Sequence, residues 1–200
     1  MTSGARDRLA GNNRNGHLWY LALSGLRRGE IAGLRWEDID FEAGAIAITR
    51  NRVQAGAGNV VENDPKTLSS SRVLPLDVDL VGVLKHASAR YAQEKLALGA
   101  AHADSGYVAV NEAGEPYTPD TLTRMWRKLT KTAGVRPIRL HDARHSCATA
   151  LHLRGVPMAV IAKWLGHADA ATTARIYAHS QDDALRAASA TLGQVVTPGG

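Results

Sequence analysis

From His17 to Leu26 the run HLWYLALSGL is apolar on nearly every side, which predicts a buried helix, and Gly25 puts a turn or packing point near its end. RRGEIAGL carries on in helical phase, with Arg27, Glu30, Ile31 and Leu34 on one face. Trp36 to Asp40 is polar and acidic and reads as a short connection. AGAIAITRNRV (43–53) then alternates apolar and polar positions, AGAGN supplies a turn, and VVEN and RVLPL give two more extended runs. Three short extended segments joined by turns predict a small antiparallel sheet.

Beyond Asp77 the period lengthens to about 3.6 residues, with Leu80, Val83, Leu84, Ala87 and Tyr91 on one stripe. A loop from Gly99 to Gly106 leads to the short apolar run YVAV. Thr118, Pro119 and Asp120 then open a helix that ends at Gly134. Four more helices are expected at HDARHSCATALHLR, PMAVIAKWLG, DAATTARIYAH and DDALRAASATL, punctuated by Gly155, Gly166, His179 and Ser180. The fold class is mainly α with a small three-stranded antiparallel β-sheet, an α+β arrangement. Residues 1–15 read as a disordered N-terminal segment, 16–192 as one domain and 193–200 as a flexible tail.

Composition narrows the function classes. A 44% hydrophobic share over 200 residues is enough for one domain with a real core. No stretch has the apolar length to span a bilayer, and MTSGARDRLAGNNRNG lacks the apolar centre of a signal peptide. Cys147, the single cysteine, excludes an internal disulfide and fits a reducing compartment, so a cytoplasmic location is expected. The net charge of +5 favours a polyanionic partner. With one Phe and five Tyr there is little material for stacking single-stranded bases, so double-stranded DNA held through its phosphates fits better. Arg124, Arg127, Lys128 and Lys131 fall at helical spacings and form either a phosphate-contacting face or a solvated one.

The stretch RLHDARHSCATAL (139–151) carries the most chemistry. On a helix, His141, Arg144 and His145 lie at i, i+3 and i+4 and project to neighbouring points. His141 and His145 nearly spell a zinc-peptidase pair, with His167 or Glu112 available as a third ligand, but the permanent charge of Arg144 sits between them. An anion removes that conflict, because a guanidinium offers a planar fork of donors to phosphate oxygens while an adjacent imidazole donates a hydrogen bond or shuttles a proton. A plain surface ion pair of Arg144 with Asp142 or Glu30 is the remaining alternative. No metal and no cofactor is expected.

Taken in order, SGLRRGEIAGLRWEDID (24–40), PKTLSSSRVLPL (65–76), HDARHSCATALHLRGVPMAVIAKWLGHADAATTARIYAH (141–179) and the short helix after it resemble the catalytic domain of the tyrosine recombinases, the phage integrase family. The resemblance covers roughly residues 16–192. It implies that Arg27 and Arg144 grip the scissile phosphate, with Glu30 the acidic partner of Arg27. Lys66 matches the hairpin lysine that protonates the leaving 5′ oxygen, His141 and His167 the two site histidines, and Tyr177 the nucleophile. The implied activity is site-specific cleavage and rejoining of DNA through a 3′-phosphotyrosine, without metal or ATP. The implied partners are further copies of the chain, joined as a tetramer through the helix 182–192, and accessory DNA-bending or directionality factors. A type IB topoisomerase shares this chemistry, and a DNA-binding regulator, or a truncated inactive form, that keeps the site without cutting is an alternative of another class. Family members usually carry a separate helical domain that clamps DNA; with 26 residues ahead of Arg27, that N-terminal domain is expected to be absent here.

Overall fold

The computed structural model describes residues 13–56, 59–63, 71–135 and 137–167. Helix α1 (Gly16–Leu23) is buried at seven of its eight positions, so the apolar run becomes the central helix rather than one face of a surface helix. Leu18, Trp19 and Leu21 are fully buried there, and Trp19 meets Trp126 with ring centroids 5.6 Å apart. The chain breaks at Ser24 to Arg27, and α2 follows over Arg28–Gly33.

That break corrects the expectation of a continuous helical phase through Arg27. Gly25 has a positive φ of 98°, and Arg27 is extended with φ −72° and ψ 150°, so it precedes α2 as its cap. The Glu30 carboxylate at the third helical position accepts the Arg27 backbone N–H at 2.7 Å, satisfying a donor that a helix start otherwise leaves open. Ile31 and Ala32 enter the core behind it. α2 lies tightly on the strand that follows: a Cβ at Gly29 would stand 2.6 Å from the Arg52 carbonyl oxygen.

The strands also differ from expectation. After a 3-10 turn at Trp36–Asp38, the supposed connection supplies β1 (Ile39–Asp40), which pairs with β2 (Ala45–Ile48). β2 in turn pairs with β5 (Arg72–Pro75), and these three form the antiparallel sheet in the order β1-β2-β5. The run 43–53 does not stay one strand: its second half is β3 (Asn51–Gln54), which pairs with β4 (Val60–Asn63) as a separate two-stranded ribbon. In the main sheet Ile46 faces Leu74 and Ile48 faces Arg72 across the ladder. Both isoleucines and Leu74 are core residues, so Arg72 enters on the buried face while Val73 points out.

Helix α3 (Val78–Leu98) starts where the Asp77 carboxylate accepts the Leu80 N–H at 2.8 Å, and it buries Leu80, Leu84 and Ala87. Among the described residues no helix is long and apolar enough to cross a membrane. YVAV forms only isolated bridges, Arg35 with Tyr107 and Val110 with Pro116. Helix α4 (Pro119–Thr132) is capped by the Thr118 hydroxyl, which accepts from Thr121 N–H at 3.1 Å, and buries Leu122 and Trp126. Helices α5 (Leu140–His152) and α6 (Met158–Leu165) complete the described chain, with Ala148, Ile161 and Leu165 forming a small apolar cluster between them.

Candidate active site

The short helix α6 ends at Gly166, which takes a left-handed conformation with φ 62° and lets the Gly166 and His167 N–H groups fold back onto the Lys163 and Ala162 carbonyls. The last carbonyls of a helix lack intrahelical donors and form the negative end of its dipole. Here three successive ones each accept from a different arginine. Trp164 O accepts from Arg72 Nε at 2.7 Å, Leu165 O from Arg144 Nη2, and Gly166 O from Arg27 Nη2 at 2.8 Å. The three arginines come from β5, α5 and the cap of α2, so the end of α6 ties together segments far apart in the chain.

Glu30 is the carboxylate among them. It accepts from Arg27 N–H and from Arg27 Nη1, both at 2.7 Å, and from the paired Nη groups of Arg72 at 2.9 and 3.0 Å. Burial alone would raise this carboxyl; the hydrogen bonds and charge of Arg72, followed by those of Arg27, hold it below the usual carboxylate range. Arg144 is 3% exposed and also donates Nη1 to the Gly25 carbonyl at 2.6 Å. Burial, and after it the charge of Arg27, brings Arg144 down to about 9, which leaves it cationic at neutral pH. Arg27 differs in keeping about a third of its side chain exposed, 33% against 5% for Glu30. The cluster therefore holds three guanidiniums against one carboxylate, with the surplus positive charge reaching solvent at Arg27.

Of the residues expected in the site, Arg27, Glu30, Arg144 and His167 come together here. His167 follows Gly166 directly, and burial, with the charges of Arg144 and Arg27 after it, lowers it to about 4, so it is a neutral imidazole at neutral pH. His141 stands at the start of α5 on the solvent side, while Arg144 points inward, so the expected three-residue cluster divides between surface and interior. The His141 and His145 rings meet edge to face at 4.7 Å. Burial, then His145 and Arg144, lowers His141 as well. Asp142 is occupied at the head of α5, accepting from the Arg139 backbone N–H at 3.0 Å and from its guanidinium. The alternative pairing of Arg144 with Asp142 is therefore not what forms.

Among the described residues no three His, Cys, Asp or Glu side chains lie close enough to share a metal ion, and Glu112 instead faces Arg14 at 3.5 Å. Arg124, Arg127, Lys128 and Lys131 are all exposed along α4, which makes the expected basic face a real surface. Lys66, Tyr177 and the helix expected at 182–192 lie outside the described residues. The residue that sequence reasoning missed is Arg72. Its one signal is parity: in RVLPL it shares a strand face with Leu74, which is buried.

The chain is similar along most of its length to known proteins. The phage integrase family matches residues 3–184. A tyrosine recombinase XerC-like protein of Caldanaerobacter subterraneus is 36% identical over 174 residues, covering 81% of this chain and 44% of that protein. The ICEBs1 integrase of Bacillus subtilis is 33% identical over 159 residues, covering 78% and 42%. The chain thus spans less than half the length of these curated relatives. Among solved structures, the Tn1549 transposon integrase in complex with transposon right end DNA has a similar fold, with a TM-score of 0.77 at 21% identity over 96% of this chain and 65% of that one. The XerA recombinase superposes with a TM-score of 0.67 at 26% identity, over 100% and 65%. With the family model matching residues 3–184 and a relative 36% identical over 81% of this chain, the chain belongs to the phage integrase family of tyrosine recombinases.

Proposed function

We propose that this chain is the catalytic domain of a site-specific recombinase that cleaves and rejoins double-stranded DNA, with Tyr177 as nucleophile. The observation that carries the reading is the end of α6, where three guanidiniums are fixed on successive carbonyls with a single carboxylate between them. Attack on a phosphodiester builds negative charge on the equatorial oxygens, and donors already fixed in place stabilise that charge without reorganising. Arg27, the exposed member, and Arg144 meet those oxygens.

The Tyr177 oxygen attacks phosphorus, the bond from phosphorus to the 5′ oxygen breaks, and the DNA is left with a 3′-phosphotyrosine and a free 5′ hydroxyl. His141, lowered by burial and then by His145, accepts the phenol proton, and Lys66 gives a proton to the leaving oxygen. His167, neutral and beside the arginines, donates an N–H to the phosphate. The phosphodiester energy stays in the covalent link, so a 5′ hydroxyl from another strand reverses the step without ATP or metal. The exposed row on α4 contacts the DNA backbone. Assembly as a tetramer through 182–192, accessory DNA-bending factors and a cytoplasmic location belong to the same proposal.

The test uses nicked suicide duplexes from a panel of sequences. A DNA–protein adduct mapped to Tyr177 by peptide mass, and lost in Tyr177→Phe while duplex binding persists, is the expected result. Duplex binding with no adduct on any substrate would overturn the proposal in favour of a binding module. Relaxation of supercoils without strand exchange would favour the topoisomerase alternative.

A further inference from the structure

We propose that Arg72 is a positioning residue for the Arg27 guanidinium, acting through Glu30 and through the carbonyl end of α6. The inference rests on the reading of Arg27 as a phosphate-gripping group. Arg72 does not face the solvent at this site: its side chain and that of Glu30 are each 5% exposed, against 33% for Arg27. What it touches is what holds Arg27. Its two Nη groups bind both oxygens of Glu30, and Glu30 in turn takes the Arg27 backbone N–H on one oxygen and Arg27 Nη1 on the other. Its Nε binds Trp164 O, two residues before the carbonyl that takes Arg27 Nη2. Both anchors of the Arg27 guanidinium, the carboxylate and the α6 terminus, are therefore fixed relative to each other by one side chain.

The fork is needed for this. A planar guanidinium fills both carboxylate oxygens in one orientation, whereas an ammonium of similar charge meets them as a point and leaves the carboxylate free to rotate. A buried ion pair adds little net stability compared with apolar side chains of the same volume, but it fixes where its members point. Gly166 is shaped to the same end: a Cβ there would come within 2.8 Å of Arg72 Nη1, so the residue that turns the chain out of α6 is also the one that admits the guanidinium.

The experiment compares Arg72→Lys, which keeps the charge and stem but not the fork, with Arg72→Met. Two readouts are taken on folded protein at one temperature well below the melting point of every variant. The first is the Arg27 Nε–H signal in NMR, assigned with Arg27→Lys, as a measure of guanidinium order. The second is single-turnover adduct formation on the nicked duplex. Both variants are expected to lose the ordered Arg27 signal and to form adduct about 100-fold more slowly, the scale of a 1 Å misplacement. Duplex affinity should stay within about twofold, and the rate loss should nearly vanish in an Arg27→Lys background, as expected when two residues act as a unit. An Arg27 signal that is unchanged in both variants overturns the proposal, as does a rate loss repeated in full when Arg27 is already lysine. If adduct formation is insensitive to Arg27→Lys, the phosphate-gripping reading fails, and the NMR signal alone decides the role of Arg72.

Discussion

Two groups of basic residues in this chain carry the same charge and live under opposite physics. At the end of α6, Arg72 and Arg144 are buried, and with Arg27 they are bound to named carbonyls and to one carboxylate. Along α4, Arg124, Arg127, Lys128 and Lys131 stand in solvent. A buried cation is worth its position: water is excluded, screening is weak, and a shift of its partners changes what it can stabilise. An exposed cation is worth its number, because counterions screen it and each phosphate it neutralises adds a similar increment. The first kind suits a transition state and the second suits a long polyanion.

Substitutions at three places break or sharpen that contrast. The largest effect is expected from Arg144→Ala, which should slow adduct formation by about 100- to 1000-fold, the range seen when one fixed oxyanion donor is removed. The same variant has a second readout. Burial, and after it the Arg144 charge, holds His167 at about 4, so removing that charge should let it titrate somewhat higher in an NMR pH series. Neutralising Arg127 on α4 should leave His167 where it is. The sign of the linked stability also follows. The folded site refuses a proton that the unfolded chain accepts, so stability is complete above pH 6.5, falls as the pH drops toward 4, and falls less steeply in Arg144→Ala.

Gly166→Ala comes next. The left-handed backbone costs an alanine about 1–2 kcal/mol, and the added methyl must displace the Arg72 guanidinium that lies 2.8 Å from its position. A Tm lowered by roughly 2–8 °C is expected for a domain of this size, and calorimetry checks it. A variant as stable as the parent would mean that the turn out of α6 does not depend on the glycine. The smallest effect belongs to α4. Replacing Arg124 or Lys128 by alanine should weaken duplex binding modestly and reduce the slope of log affinity against log salt by about 0.9 for each phosphate that is no longer neutralised. An unchanged slope would return that face to simple solvation.

Much of this was legible in the chain, and the failures have physical causes. Arg27, Glu30, Arg144 and His167 could be named because their spacing repeats a family order, and the fold brings the four together near the end of α6. Arg27 was misplaced onto a helix face because helical periodicity ignores the cap: Gly25 and the Glu30 carboxylate end one phase and begin another. The strands were misassigned because alternation marks an extended chain but not its partner. The run 43–53 reads as one strand, yet its two halves pair with segments on different sides, 72–75 and 60–63.

The sequence by itself determined the buried central helix, the helical class and the excess of cation over anion, because those depend on composition and on local periods. Only the tertiary structure decided that Arg72 belongs with them, that Arg144 faces inward while His141 faces out, and that three arginines share the carbonyls of one helix end. Those facts turn on interactions between segments as far as 139 residues apart, where packing rather than local preference chooses the partner, and the parity that sets Arg72 on the face of Leu74 does not say which groups it meets there.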